Sequence, residues 1–363
     1  ALQYKQPKDE ITFGGSWTKY DGKHFGKIIW ANIGVPDDYE YYRFCAVKTD
    51  FNVYAKWLRQ INVKWNLFGD IQYRHVSHEM NGFEDNPALF IKRNFNFINP
   101  KAGISYSYNG LLAFISYALA NKEPGRHDFE ASIIQQPTNE TLHDFEFGIE
   151  RKQTKYNWAA TLYYMMYRNQ LVLTGKINDV GSYTRINVPN SYRAGLELQG
   201  AVAPAKWFSA SGNITISTNK IKSFTEYLDN YDDDLQKTFT HSNTDISFSP
   251  SVIASAAINL YAIKNFEISL PAKYVGKQYL DNTQNELRKL DTYYSQDIRV
   301  SYKLKNVLFS ESNIILQVNN VFNKKYEPNG YTYPYIYNSE LINENYYYPM
   351  AGTNFMIGLN IKL

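Results

Sequence analysis

The sequence predicts an all-β protein, a transmembrane antiparallel β-barrel, and three features of the chain lead there. The last segment, Asn354 to Leu363, places Phe355, Ile357, Leu359, Ile361 and Leu363 on one side and mostly polar or small residues on the other, the period-two pattern of a strand with one apolar face. Its expected partner repeats the pattern, with Ile314, Leu316 and Val318 set against Gln317 and Asn319. Composition is the second feature: 32 tyrosines, 21 phenylalanines and 6 tryptophans make 16% of the chain aromatic, yet mean hydropathy is −0.47. Many amphipathic rings without a concentrated apolar core suit a wall in which every second residue meets lipid and aromatic girdles mark both interfaces. The third is a regular succession of tight turns and long polar loops.

Taken in order, short turns fall at Gln6 to Glu10, Arg59 to Val63, Asn109-Gly110, Gln153-Thr154-Lys155, Pro204-Ala205, Ile263-Lys264-Asn265 and Lys305-Asn306. Between them lie long loops, roughly Asp21 to Lys48, Ser77 to Asn99, Asn121 to Glu140, Asn169 to Asn190, Lys220 to Ser247, Asp281 to Lys289 and Phe322 to Gly352. Such alternation is how a membrane barrel is connected, short on the periplasmic side and long outside. The segments between number about fifteen, of the 9 to 11 residue type that crosses a bilayer at a tilt. Trp65, Leu67, Gly69, Ile71 and Tyr73 interleave with Lys64, Asn66, Phe68, Asp70, Gln72 and Arg74. Phe145, Phe147 and Ile149 interleave with Glu146, Gly148 and Glu150. Charges repeated on one face imply a wide, wet or plugged lumen.

Several classes fall away. The longest nearly apolar run, Leu111 to Ala120, is about half of what a spanning helix needs. Cys45 is the single cysteine, which excludes an internal disulfide. A net charge of +3 gives no reason to expect nucleic acid. No Gly-x-Ser-x-Gly elbow, phosphate loop or focused carboxylate pair marks an enzyme. The acidic run Asp229 to Asp234 reads as a solvated loop tip.

The stretch Asn319-Asn320-Val321-Phe322-Asn323-Lys324-Lys325-Tyr326-Glu327, followed by Tyr347 to Leu359, resembles the C-terminal signature of TonB-dependent outer-membrane receptors. Asn121 to Arg126 and Tyr192 to Leu198 resemble internal barrel motifs of the siderophore, haem and cobalamin branch. Ala351-Gly352-Thr353 stands where the family often has Pro-Gly-Arg, and Leu363 where barrels usually end on an aromatic. The resemblance implies a 22-stranded barrel with a plug, of which residues 1–363 would be the C-terminal part, about fifteen strands, with the N-terminal plug and first strands outside this chain. It further implies active import of a scarce ligand, a ferric siderophore, haem or cobalamin, across the outer membrane of a Gram-negative bacterium. Implied partners are the TonB energy-transducing complex, outer-membrane lipid and the barrel-assembly machinery, with a surface lipoprotein as an optional one. No cofactor is implied. The alternatives are a passive porin-like channel, a surface adhesin barrel or a glycan importer.

Within that scheme, aromatic loop residues are the ligand-binding candidates, since they offer rigid rings with a polar tip: Trp30, Tyr41 and Tyr42 in the first long loop, and Tyr331, Tyr333, Tyr335 and Tyr347 in the last. Arg126 and His127 are added as contacts for an anionic ligand or a haem iron. His75 and His78, spaced as on opposite faces of a strand, do not suit a shared metal.

Overall fold

Residues that alternate in polarity leave their backbone groups to be satisfied by neighbouring strands, and the computed structural model shows consecutive strands pairing antiparallel along the chain. It describes residues 1–84, 86–130, 136–177, 183–233, 235–304 and 311–362. The wall opens with β1 (Leu2–Lys5), β2 (Asp9–Ile28), β3 (Tyr39–Gln60), β4 (Trp65–Asn81), β5 (Phe90–Tyr108) and β6 (Leu111–Lys122). A single helical turn, α1 (Arg126–Glu130), precedes β7 (Glu140–Lys152), β8 (Tyr156–Ile177), β9 (Tyr183–Ala205) and β10 (Phe208–Asn230). The upper half of β10 folds back as β11 (Leu235–Asp245), and β12 (Val252–Ile263) and β13 (Phe266–Val275) return to the wall. The loop above β13 holds two short strands, β14 (Gln278–Tyr279) and β15 (Lys289–Leu290). β16 (Tyr293–Gln296) and β17 (Ile298–Leu304) form one wall strand interrupted at Asp297, since both pair with β13. β18 (Glu311–Asn319) pairs with β21 (Asn354–Lys362), and between them rises a hairpin of β19 (Asn329–Tyr337) and β20 (Glu340–Tyr348). Setting aside the strands confined to loops, about fifteen make the wall, as the sequence predicts. Among the described residues, β1 pairs only with β2 and β21 only with β18.

The register explains the outer surface. Leu67 faces Ile104, and across the next strands Ile104 faces Ile115, Ile115 faces Phe147 and Phe147 faces Leu162. The row continues through Leu196 and Ile216 to Val252. It forms one apolar band in which Ile115 is 57% and Leu162 53% exposed. An apolar band that runs unbroken from β4 to β12 is not the scattered pattern of a water-facing monomer, and hydrocarbon is the solvent that fits it. One residue along, the other face is polar: Ser116 donates to Glu146, and Glu197 lies between Thr161 and Thr215.

On this inner face, bulky rings lie across glycines of the adjacent strand. Phe68 faces Gly103, Phe114 faces Gly148 and Tyr163 faces Gly195. A Cβ on Gly103 would stand 2.5 Å from the Phe68 ring and 2.7 Å from the carbonyl oxygen of Ile115, which cannot swing away. Gly103→Val is therefore expected to destabilise the barrel by about 1–3 kcal/mol, read as a lower urea midpoint for the protein refolded in lipid vesicles.

Some expected boundaries change. The stretches Asp21 to Lys48, Ser77 to Asn99, Asn169 to Asn190 and Lys220 to Ser247 are largely strand, because β2, β3, β4, β5 and β8 to β11 run on past the membrane. β9 and β10 each have 23 residues, about twice what a tilted crossing requires. Above the lipid both faces meet water or loops, so the polarity alternation fades while the backbone ladder persists. The turn expected at Pro204-Ala205 is Lys206-Trp207. Lys305-Asn306 and Leu363 lie outside the described residues.

Candidate functional site

The last long loop folds as the β19–β20 hairpin, and strand alternation sorts its tyrosines onto two faces. Tyr331, Tyr333, Tyr335 and Tyr337 share one face, while Thr332, Pro334 and Ile336 are buried on the other. Across the ladder Tyr331 meets Tyr346, Tyr333 meets Glu344 and Tyr337 meets Glu340. Tyr347 lies on the opposite face, where its hydroxyl donates to the Lys289 carbonyl at 3.3 Å. The structure thus brings together Tyr331, Tyr333 and Tyr335 of the predicted residues and separates Tyr347 from them.

This face extends onto β10. β19 pairs parallel with β10 through Asp229 with Tyr335 and Asn230 with Ile336, which aligns Tyr227, Asp229 and Tyr231 with the tyrosines of β19. Tyr231 meets Tyr335 edge-on at 5.3 Å, and Tyr331 stacks on Tyr346 at 4.8 Å and 14°. Glu344 accepts from Tyr335 at 2.8 Å and from Tyr346 at 2.7 Å, bonds that lower the Glu344 pKa and raise those of both phenols. Hydrogen bonding with Tyr231, partial burial and the nearby Asp229 push the Tyr333 phenol up to about 12. Between Ile221 and Phe224, which share one buried cluster, the buried side of β10 passes from odd to even positions beside Asn243 at φ 55°, so Tyr227, Asp229 and Tyr231 stand on the exposed side of the outer hairpins. Beside it, a cavity of about 480 Å³ lies among Asp128, Arg185, Asn187, Phe224, Thr225 and Tyr227.

The sequence reading did not find Tyr227, Tyr231, Asp229 or Glu344. The acidic run differs from a free solvated tip: Asp232 accepts from the amides of Asn338 and Ser339, both at 2.7 Å, and Asp233 accepts from the Leu235 amide. It joins the β10–β11 tip to the β19–β20 tip. Adjacent Asn and Asp residues in turns were the available signal, since their side chains bind nearby backbone.

A buried cation backs this assembly. Arg288 is 1% exposed and donates to Asp281 at 2.8 Å, to Asn343 at 2.5 Å and to Glu226, which also meets His241 at 2.8 Å. The loop above β13, β10 and β20 converge on that one side chain, and β11 joins them through His241 on Glu226.

The remaining predicted residues lie elsewhere. Trp30 is 71% exposed in the segment between β2 and β3. A β-bulge leaves Tyr41 opposite no residue of β2, between Tyr42 against Gly26 and Glu40 against Lys27. The bulge lets Tyr41 and Tyr42, consecutive on a strand, meet edge-on at 5.0 Å. Arg126 lies 4.1 Å over the Phe83 ring and donates to the Gly82 carbonyl at 2.7 Å, while His127 is exposed on α1. His75 and His78 point to opposite sides of β4, as expected, and among the described residues no group of side chains could hold a metal ion. His78 is buried against Phe95 and Phe129, and burial lowers its pKa.

α1 is tied to the wall by Glu123, which accepts from Lys48 at 2.7 Å and from Arg74 at 2.8 Å. Burial alone would push the Glu123 carboxyl up, but these donors outweigh it and hold it at about 2. With the folded value below the ordinary one, the tie contributes stability above the ordinary carboxylate range and loses it as pH falls. Pepsin cleavage within residues 123–130 is expected to rise between about pH 5 and pH 2, the window set by the two values.

A lipid-facing strand wall with long outer hairpins that carry an aromatic face defines a class of protein, an outer-membrane barrel. The comparisons specify it. A model of the TonB dependent receptor-like β-barrel family matches residues 2–323. The chain belongs to that family, whose barrels reside in the outer membrane of Gram-negative bacteria. No curated protein sequence matches it. Similar solved structures include the ferric-catecholate import receptor Fiu of E. coli K12 (TM-score 0.69, 16% identity, 99% of this chain and 53% of that one). They also include the siderophore receptor PiuA of Acinetobacter baumannii (0.69, 15%, 99% and 54%) and the copper transporter OprC (0.71, 12%, 98% and 54%). At these identities the likeness is one of fold, and the chain spans about half the length of each.

Proposed function

We propose that this barrel serves in TonB-dependent import of a scarce metal chelate, captured by the extracellular hairpins and passed through the lumen. The observation that carries the reading is the tyrosine face of β10, β19 and β20, which gathers exposed rings on the outer hairpins above the lipid-facing band. Family membership supports it, as do neighbours that carry ferric catecholates, siderophores or copper. Tyr331, Tyr333, Tyr335, Tyr227 and Tyr231 would make the first contact, with Trp30, Tyr41, Tyr42, Arg126 and His127 at a second position. The chemistry needed is binding and release, with no bond made or broken in the ligand. In the complete protein, a plug and further strands preceding residue 1 would close the lumen and engage TonB.

The test is uptake of radiolabelled iron chelates by cells carrying the full-length gene. Uptake is expected to stop when the proton gradient is collapsed; uptake that continues without the gradient would point to a passive channel and reject active import.

A further inference from the structure

The tyrosine face has a charge character that bears on what it can hold. Its carboxylates are Asp229, Glu340 and Glu344. Asp229 lies beside Gln236 and Glu344 beside two phenols, and no lysine or arginine projects from this face of residues 225–231, 236–240, 331–337 or 340–348. Lys237 pairs with Leu228, whose side chain is buried on the other side. The rings add to the same sign, because the face of a phenol attracts cations. Tyr227, Tyr231, Tyr337 and Tyr346 are each 45–52% exposed, so the rings are open to a ligand. Several cations near the mouth are already engaged, Arg185 with Asp128, Lys48 and Arg74 with Glu123, and Arg126 with the Phe83 ring.

We infer that the chelate taken by this face is cationic, held by tyrosine rings and by Glu344 and Asp229, and that polyanionic chelates are disfavoured. The inference rests on the import reading and adds the ligand's charge. A polyanion placed here would meet three carboxylates with no compensating cation, whereas a cationic chelate gains attraction from both rings and carboxylates.

Equilibrium binding to the purified full-length receptor tests it, with ferrioxamine B as a cationic hydroxamate probe and ferric enterobactin as a polyanionic catecholate probe. The cationic probe is expected to bind at least about tenfold more tightly, with affinity falling as salt is raised. Glu344→Gln is expected to weaken the cationic probe several-fold and to leave or improve the polyanionic one. Tyr335→Phe keeps the ring and removes only the hydroxyl, and is expected to retain most of the affinity. Equal or tighter binding of the polyanion, or a Glu344→Gln variant that weakens both probes alike, would overturn the charge assignment. If no metal chelate of either charge bound and uptake ignored the proton gradient, the import reading would fail and the charge assignment with it.

Discussion

Arg288→Ala is expected to release the outer assembly while leaving the membrane-embedded wall folded. The substitution strands Glu226 and Asp281, both largely buried, without their shared cation. Removing one partner of a buried ion pair costs about 3–5 kcal/mol, because the remaining charge stays out of water. The loss falls on contacts between the loop above β13, β10 and β20, none of which lies in the lipid-facing band. Hydrogen exchange should therefore accelerate in residues 276–292 and 329–348 and stay unchanged in the lower halves of β8 and β9. Ligand affinity should fall with it, since the tyrosine face spans the same β10 and β20 that the arginine holds in place. Uniform exchange throughout the protein would show that the hub carries no such role.

The second large effect separates the two faces of one strand. Ile357 faces Leu316 in the middle of the β18–β21 pair and is 80% exposed on the apolar side; Met356, its chain neighbour, faces Gln317 on the other. Ile357→Arg should destabilise the barrel by about 2–4 kcal/mol, the cost of a guanidinium in the bilayer middle, and Met356→Arg should cost much less because that face meets polar groups. Unfolding in lipid vesicles reads both. Equal costs would remove the distinction between lipid and lumen on which the architecture depends.

Wall strands were legible because lipid on one side and polar groups on the other print a period of two, as at Trp65 to Tyr73 and Phe355 to Ile361. Turns were legible to within a residue or two where Asn, Gly or Lys ended that pattern. The extensions of β2, β3, β9 and β10 above the bilayer were not, since two wet faces print nothing. Site residues divided along the same line. Tyr331, Tyr333 and Tyr335 stood out by their spacing, but joining them to Tyr227 and Tyr231 depends on a parallel contact between strands about a hundred residues apart, which no local pattern encodes. Tyr347 was grouped with them because its position in the chain carries no record of which side it takes. Arg288 was invisible for a different reason: an arginine buried among loops looks the same in sequence as one in water.

β10 climbs as one strand from the bilayer to the tyrosine face, paired with β9 as far as Ile221 and with β11 from Lys220 to Asn230, save at Lys222. A strand paired at both levels resists bending, so the aromatic half should move little when the outer segments rearrange. Any closure over a guest would then fall to segments fastened by side chains, such as the strap through Glu123 and α1, with the aromatic half as a fixed anvil.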